Sequence, residues 1–406
     1  MKTRHSILAG GLIVSASVAI GACATSDPSP PAPIPENVIP AGDADADGAG
    51  EAGDAGPCID CEYFPETCSG EILCSNGLFE TDGELNPRAQ INFIRGRSES
   101  DVWVGGALGV LAHFDGKSWT SSDIGKRETI AGIWLGDSAE MALVSLDTLY
   151  SRGLDVPDGS VPSAGGWTLR DTPPFPDDYE WWGRNLVSAW AAPGSEWVWG
   201  ATWAVQCDSP ACFIDDTLRT SGVWRIRISP SLEIVDAIGS DMCQAISCRG
   251  MSSIHGWSAS DIWAVGAMGS ALRISSAESE TPTIRTFDTQ TWNALYGVWA
   301  ASESDAWAVG AHGVVRHYSG NRTRWEVVSD VPTTNDLFAV WGSSPSDVWA
   351  VGDAATVLHY DGKSWSRVKI GGLGNRRPKL TAVWAPSPGH VWIGGQGVVL
   401  SLGGKP

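Results

Sequence analysis

The chain has 406 residues, a formal net charge of −20 and 22 tryptophans. A charge of that sign and size argues against a nucleic-acid partner and against electrostatic docking on anionic lipid, both of which are built on excess Lys and Arg. The length suits one large domain behind an N-terminal leader.

Residues 1–22 have the layout of a secretory signal: Lys2 and Arg4 form the charged start, and residues 7–20 are an apolar run too short to span a bilayer with flanks. The run ends in Ile20-Gly-Ala-Cys23, which has the pattern of a bacterial lipobox. Cys23 is therefore the expected lipid anchor, and the expected location is the bacterial cell envelope. Ala24, which is not acidic, leans the sorting toward the outer membrane. Several acyl chains on one cysteine would make the anchor firm, because a single chain binds only marginally. Residues 23–57 are rich in Pro, Ala, Gly and Asp with almost no large apolar side chain, and read as a disordered tether. Within it, residues 43–54 open as Asp43-Ala-Asp-Ala-Asp-Gly, the start of a calcium loop, but Gly50 and Asp54 fill the positions that want an apolar residue and a bidentate Glu. The expectation is solvated linker, with no metal and no cofactor anywhere in the chain.

Residues 58–75 form a Cys-rich segment holding Cys58, Cys61, Cys68 and Cys74, and four more cysteines follow at Cys207, Cys212, Cys243 and Cys248. In an exported chain these eight are disulfide candidates in preference to metal ligands, with three connectivities open to each group of four.

From residue 76 to 406 one phrase recurs: Ser100-Asp-Val-Trp-Val-Gly-Gly, Ser260-Asp-Ile-Trp-Ala-Val-Gly, Ser304-Asp-Ala-Trp-Ala-Val-Gly, Ser346-Asp-Val-Trp-Ala-Val-Gly and the degenerate Gly389-His-Val-Trp-Ile-Gly-Gly. The steps from Asp261 to Asp305, Asp347 and His390 are 44, 42 and 43 residues. A period of that size marks a solenoid or a propeller. The clearest copy reads as four short strands: residues 337–341, 347–352, 356–360 and 365–370, with Asp361-Gly362 as the hairpin between the last two. Four strands per repeat is the blade of a β-propeller. Aligning the acid that opens the second strand gives seven units, at Asp101, Glu140, Glu196, Asp261, Asp305, Asp347 and His390. The fold class is thus all-β, a seven-bladed β-propeller, with six or eight blades as the alternatives. The last unit lacks a fourth strand after Leu402, and residues 76–80, with Phe79 in the tryptophan slot, are expected to supply it, so that both termini close the ring.

Residues 88–406 resemble the Trp-rich repeat lipoproteins of bacteria, whose blades read as residues 340–352 do, Val-Trp-Gly-Ser-Ser-Pro-Ser-Asp-Val-Trp-Ala-Val-Gly. More distantly they are similar to BNR-type and photosystem-assembly-factor propellers. The resemblance implies a propeller and an exported location, and little about function.

Candidate sites come from departures from the repeat. His113, His317 and His359 recur in equivalent places and are read as structural, as is the ring of acids, whose oxygens are expected to satisfy backbone N–H groups at turns. Six residues before each aligned acid stands a tryptophan, except for Arg95 in the first unit and His255 in the fourth. That slot ends the innermost strand, so a polar pair there could line a ligand site; repacking of His255 against Trp257 is the alternative. Insertions at residues 173–184, 202–221 and 241–249 fall at connections that emerge on one face of a propeller. Trp181, Trp182, Asp178 and Glu180 on the first of them are candidate partner contacts, because tryptophan is a frequent interface anchor. No nucleophile elbow, zinc-protease pair or phosphate loop is present. The expectation is a non-enzymatic, lipid-anchored binding module for a protein or a glycan; a glycan hydrolase of the propeller type and a purely structural envelope component are the alternatives.

Overall fold

The structure, a computed structural model, describes residues 60–80, 85–171, 185–202, 222–228, 231–236, 238, 246 and 250–405. Residues 58–406 form one compact unit. Among the described residues lie seven antiparallel sheets of four strands each. The first strands of successive sheets touch in sequence from blade one to blade seven, and the seventh touches the first, so the ring is closed.

Blade six shows why the sequence folds this way. Its strands are Leu337–Ser344, Asp347–Gly352, Val357–Tyr360 and Trp365–Arg367. Every residue of the second strand after Asp347 is buried, because neighbouring blades cover both faces of the sheet. One apolar cluster accordingly joins Trp299, Trp307 and Val309 of blade five to Leu337, Val348 and Trp365 of blade six. The core is a set of such seams between blades.

The glycine closing the second strand is set by close approach. A Cβ on Gly266, Gly310 or Gly352 would lie 2.0 Å from the carbonyl oxygen of Gly250, Ala294 or Asp336, at the entrance to the first strand of the same blade. The Asp-Gly hairpin is as the sequence implies: Gly362 has φ +90, and the Asp361 carboxylate accepts the N–H groups of Lys363 and Ser364, both at 2.9 Å.

The ring closes through both chain ends, but not through residues 76–80. The fourth strand of blade seven is Leu73–Ser75, registered as Leu73↔Leu402, Cys74↔Ser401 and Ser75↔Leu400. The chain leaves the strand at Asn76, whose side chain accepts the N–H of Leu78, and turns at Gly77 with φ +81. Leu78 then enters the core between blades seven and one, with Phe79 packed beside it. The preceding segment also pairs with blade six: Ile370 N–H donates to Tyr63 O at 2.9 Å, and Leu73 N–H donates to Lys369 O at 3.1 Å. Cys68 and Cys74 are joined by a disulfide, and Cys61 is disulfide-bonded as well. Cys23, Cys58, Cys207, Cys212, Cys243 and Cys248 lie outside the described residues, as does the acidic stretch 43–54.

Candidate functional site: an axial waist and two end faces

The repeated acids and histidines solve a packing problem. Five of the aligned acids meet a side chain of the third strand 12 residues on, three of them a histidine: Asp101 with His113 at 2.7 Å, Asp305 with His317 at 3.2 Å, Asp347 with His359 at 2.7 Å. In blade four the partner is Arg273, 2.6 Å from Asp261, and in blade two Arg152, 3.0 Å from Glu140. Each histidine also lies over the tryptophan of its own second strand, with ring centroids 4.1–4.5 Å apart. The acids therefore answer side chains across the strand pair, in place of the turn N–H groups expected from the sequence.

The two departures from the tryptophan slot meet in the middle of the ring. The Arg95 guanidinium lies over the Trp341 ring at 4.2 Å, and the His255 ring meets the same indole edge-on at 4.6 Å. His255 is buried between Trp190 and Trp299 as well. Trp257 is 46% exposed, so His255 does not repack against it. The Ala300 N–H donates to His255 Nδ1 at 3.1 Å, which leaves the ring proton on Nε2. Similar side-chain bonds link neighbouring blades near the axis elsewhere: Asn92 to Ile130 O at 3.0 Å, Ile254 N–H to Ser188 at 3.4 Å, and Val298 N–H to Ser253 at 3.2 Å. Burial, reinforced by the Arg95 charge, pushes the His255 pKa well below its usual value. Burial also lowers the Arg95 pKa to about 10, which still leaves it charged at neutral pH.

This layer of Arg95 and Trp341 divides the channel. On one side is a cavity of about 100 Å³ reaching Ser188, Ser252, Ser253 and Tyr296 near the entrances of the first strands. On the other is a cavity of about 290 Å³ between Arg95, Arg97, Trp190, Trp341 and Trp384, opening where first strands turn into second strands. Arg97 at its rim is occupied by Asp101 at 2.9 Å and Glu140 at 2.7 Å.

The described residues that flank the insertions lie at the opposite end. Leu186, where the first strand of blade three starts, pairs with Thr202, where its second strand stops; Met251 pairs with Gly266 in blade four. The three insertions are thus attached at one end of adjacent blades. Trp181, Trp182, Asp178 and Glu180 themselves lie outside the described residues. The same end carries a feature that sequence reasoning missed: Trp292, 85% exposed, beside Met268, 61% exposed. Trp292 sits on the connection between blades four and five, and the turn holding Met268 abuts that connection through Thr289 Oγ1, which donates to Gly269 O at 2.6 Å.

Ser387, His390 and Glu99 gather on the surface between blades seven and one, and their geometry opposes catalysis. Ser387 Oγ lies 2.9 Å from His390 Nδ1, and the Glu99 carboxylate lies 2.6 Å from that same nitrogen while also accepting from Ser387. A histidine base needs its orienting acid on the other ring nitrogen. Here the acid competes for the proton, and the three side chains tie two blades together. Among the described residues no group of three or more His, Cys, Asp and Glu is placed to hold a metal ion, and no helix is long and apolar enough to cross a membrane.

No family model and no curated protein matches the chain. Solved structures do. YCF48 bound to D1 peptide is similar at TM-score 0.57 and 13% identity, over 83% of this chain and 97% of that one. The WD40 β-propeller domain of Doa1 is similar at TM-score 0.51 and 10% identity, over 77% and 92%. The extracellular domain of a hybrid two-component system from B. thetaiotaomicron is similar at TM-score 0.54 and 12% identity, over 83% of this chain and 41% of that one. At these identities the likeness is one of fold, and the fold is a β-propeller.

Proposed function

We propose that the chain is a binding module of the bacterial cell envelope, anchored through Cys23, that holds a protein or glycan partner on its insertion-bearing face. The observation that carries this reading is the attachment of all three insertions at one end of blades two to four, with exposed Trp292 and Met268 on the same end. A rigid closed ring lowers the ordering cost of binding, and a tryptophan that becomes buried at an interface can contribute roughly 2 kcal/mol or more. The structure of YCF48 bound to a peptide shows a fold of this kind used for peptide capture in that protein. A protein partner is favoured on that ground, with glycan as the second class.

The test uses residues 58–406 against a glycan array and against solubilised envelope proteins. Binding should weaken at least tenfold in Trp181→Ala/Trp182→Ala and in Trp292→Ala, with melting temperatures unchanged. Neutralising Asp178 and Glu180 should matter less, because rim charges contribute little. Folded variants that bind as the wild type does would place the partner elsewhere. In the full chain, Cys23→Ser should abolish palmitate labelling and release the protein from membranes; persistent labelling would remove the anchor from the reading.

A further inference from the structure

The cavity on the other side of the ring has no place in that reading, and its chemistry is specific. The chain carries a net charge of −20, yet the guanidinium in the wall of this cavity meets no acid. Among the described residues Arg95 has one hydrogen bond, from Nη1 to the carbonyl oxygen of its neighbour Ile94 at 2.7 Å. Two buried arginines elsewhere each donate to several backbone carbonyls: Arg316 to those of Thr289, Gln290 and Val315, and Arg225 to those of Ala277 and Ser279, with Arg225 Nε left without a partner among the described residues. Arg97 at the rim is taken by two carboxylates, and Asp137 stands exposed at the mouth. What remains inside is one uncompensated positive charge, and burying it costs free energy unless something answers it.

We infer that this cavity is a receptor site for a small carboxylate, whose anion meets Arg95 and whose body packs against the indoles of Trp190, Trp341 and Trp384. A single guanidinium matches the single charge of a carboxylate, and its planar N–H fork suits the two oxygens. Trp341 holds the guanidinium from one face, and His255, edge-on to the same indole, fixes that ring in place. His255 is a positioning residue, neutral because burial holds it so. At about 290 Å³ the cavity is at the small end of ligand pockets, and three indoles stand in its wall beside Ile133, Leu135 and small residues, so a short acid with a flat or apolar body fits better than a long polar chain. The source of such a carboxylate is either a free organic acid or the C-terminus of a peptide. This site stands apart from the insertion-bearing face, so either proposal can fail while the other stands.

The experiment titrates the purified protein with benzoate, with benzamide as its uncharged counterpart, and with the peptide Ala-Ala-Phe carrying a free or an amidated C-terminus. Tryptophan fluorescence and calorimetry read the binding. Benzoate should bind saturably and at least about tenfold tighter than benzamide. Arg95→Met should lose about tenfold or more in benzoate affinity, and Arg95→Lys should recover part of it. If the free-acid peptide binds more tightly than benzoate, the source is a chain end; if benzoate binds and the peptide does not, it is a free acid. Equal binding of benzoate and benzamide, no saturable binding of any probe up to about 10 mM, or unchanged benzoate binding in a folded Arg95→Met protein would each overturn the assignment. The acid-against-amide comparison needs no variant, so it stands even if Arg95→Met does not fold.

Discussion

At the scale of the residue, His255 shows how a departure from a repeat is absorbed by the structure. It stands where five other blades place tryptophan, and it uses Nδ1 to accept the Ala300 N–H across the seam between blades four and five. Its folded pKa lies well below the unfolded value of about 6.5, first because of burial and then because of Arg95. The unfolded chain therefore takes up the proton first. The stability that depends on a neutral His255 is complete above about pH 6.5 and is lost as the pH falls below it, by up to about 1.4 kcal/mol per pH unit. His255→Gln keeps an acceptor that does not titrate. The drop in melting temperature between pH 7.5 and 5.5 should be smaller in that variant than in the wild type; equal drops would show that His255 does not couple to folding. Arg95 and His255 were legible in the sequence because they break a slot otherwise filled by tryptophan. Their meeting on Trp341 was not, since it depends on how seven blades bring distant slots together across the axis. Trp292 was missed because it lies on a connection outside every repeat slot, and in a chain with 22 tryptophans no local signal marks it as exposed.

At the scale of the element, the second strand was the most legible piece. Its apolar run, its opening acid and its closing glycine each follow from one constraint: two covered faces, a cross-strand partner, and a backbone approach too close for a Cβ. The closing strand was less legible. Phe79 looked like the aromatic of a fourth strand, yet Gly77 turns the chain and Leu73–Ser75 takes the place. A strand of three residues with one disulfide-bonded cysteine carries too little alternation to be recognised, and its partner strand is more than 300 residues away. Deleting residues 58–75 should uncover the edge of the strand Val398–Leu402 and, by removing Phe64 and Leu73, leave Ile370 and Leu380 without part of their packing. The whole unfolding transition should then move down by roughly 5 °C or more. Loss of a minor early phase with the main transition in place would show that the segment is only a tail.

At the scale of the whole molecule, the seven-bladed ring separates two ends. First strands begin at the end that carries the insertions, Met268 and Trp292; they finish at the end where the cavity below Arg95 opens. The number of blades followed from the spacing of the repeat, and the residues flanking the insertions share one end because alternate connections in a four-stranded blade emerge on the same side. The partner chemistry did not follow, since fold alone confers none. The central claim is that the insertion-bearing end is the one that meets a macromolecule. The most direct measurement places a photo-crosslinking residue at Trp292 and, separately, at Trp257, which is 46% exposed at the opposite end, and irradiates intact cells that make the protein. The account predicts a discrete high-mass adduct from position 292 and none from position 257. Adducts from 257 alone, or equal adducts from both, would contradict it.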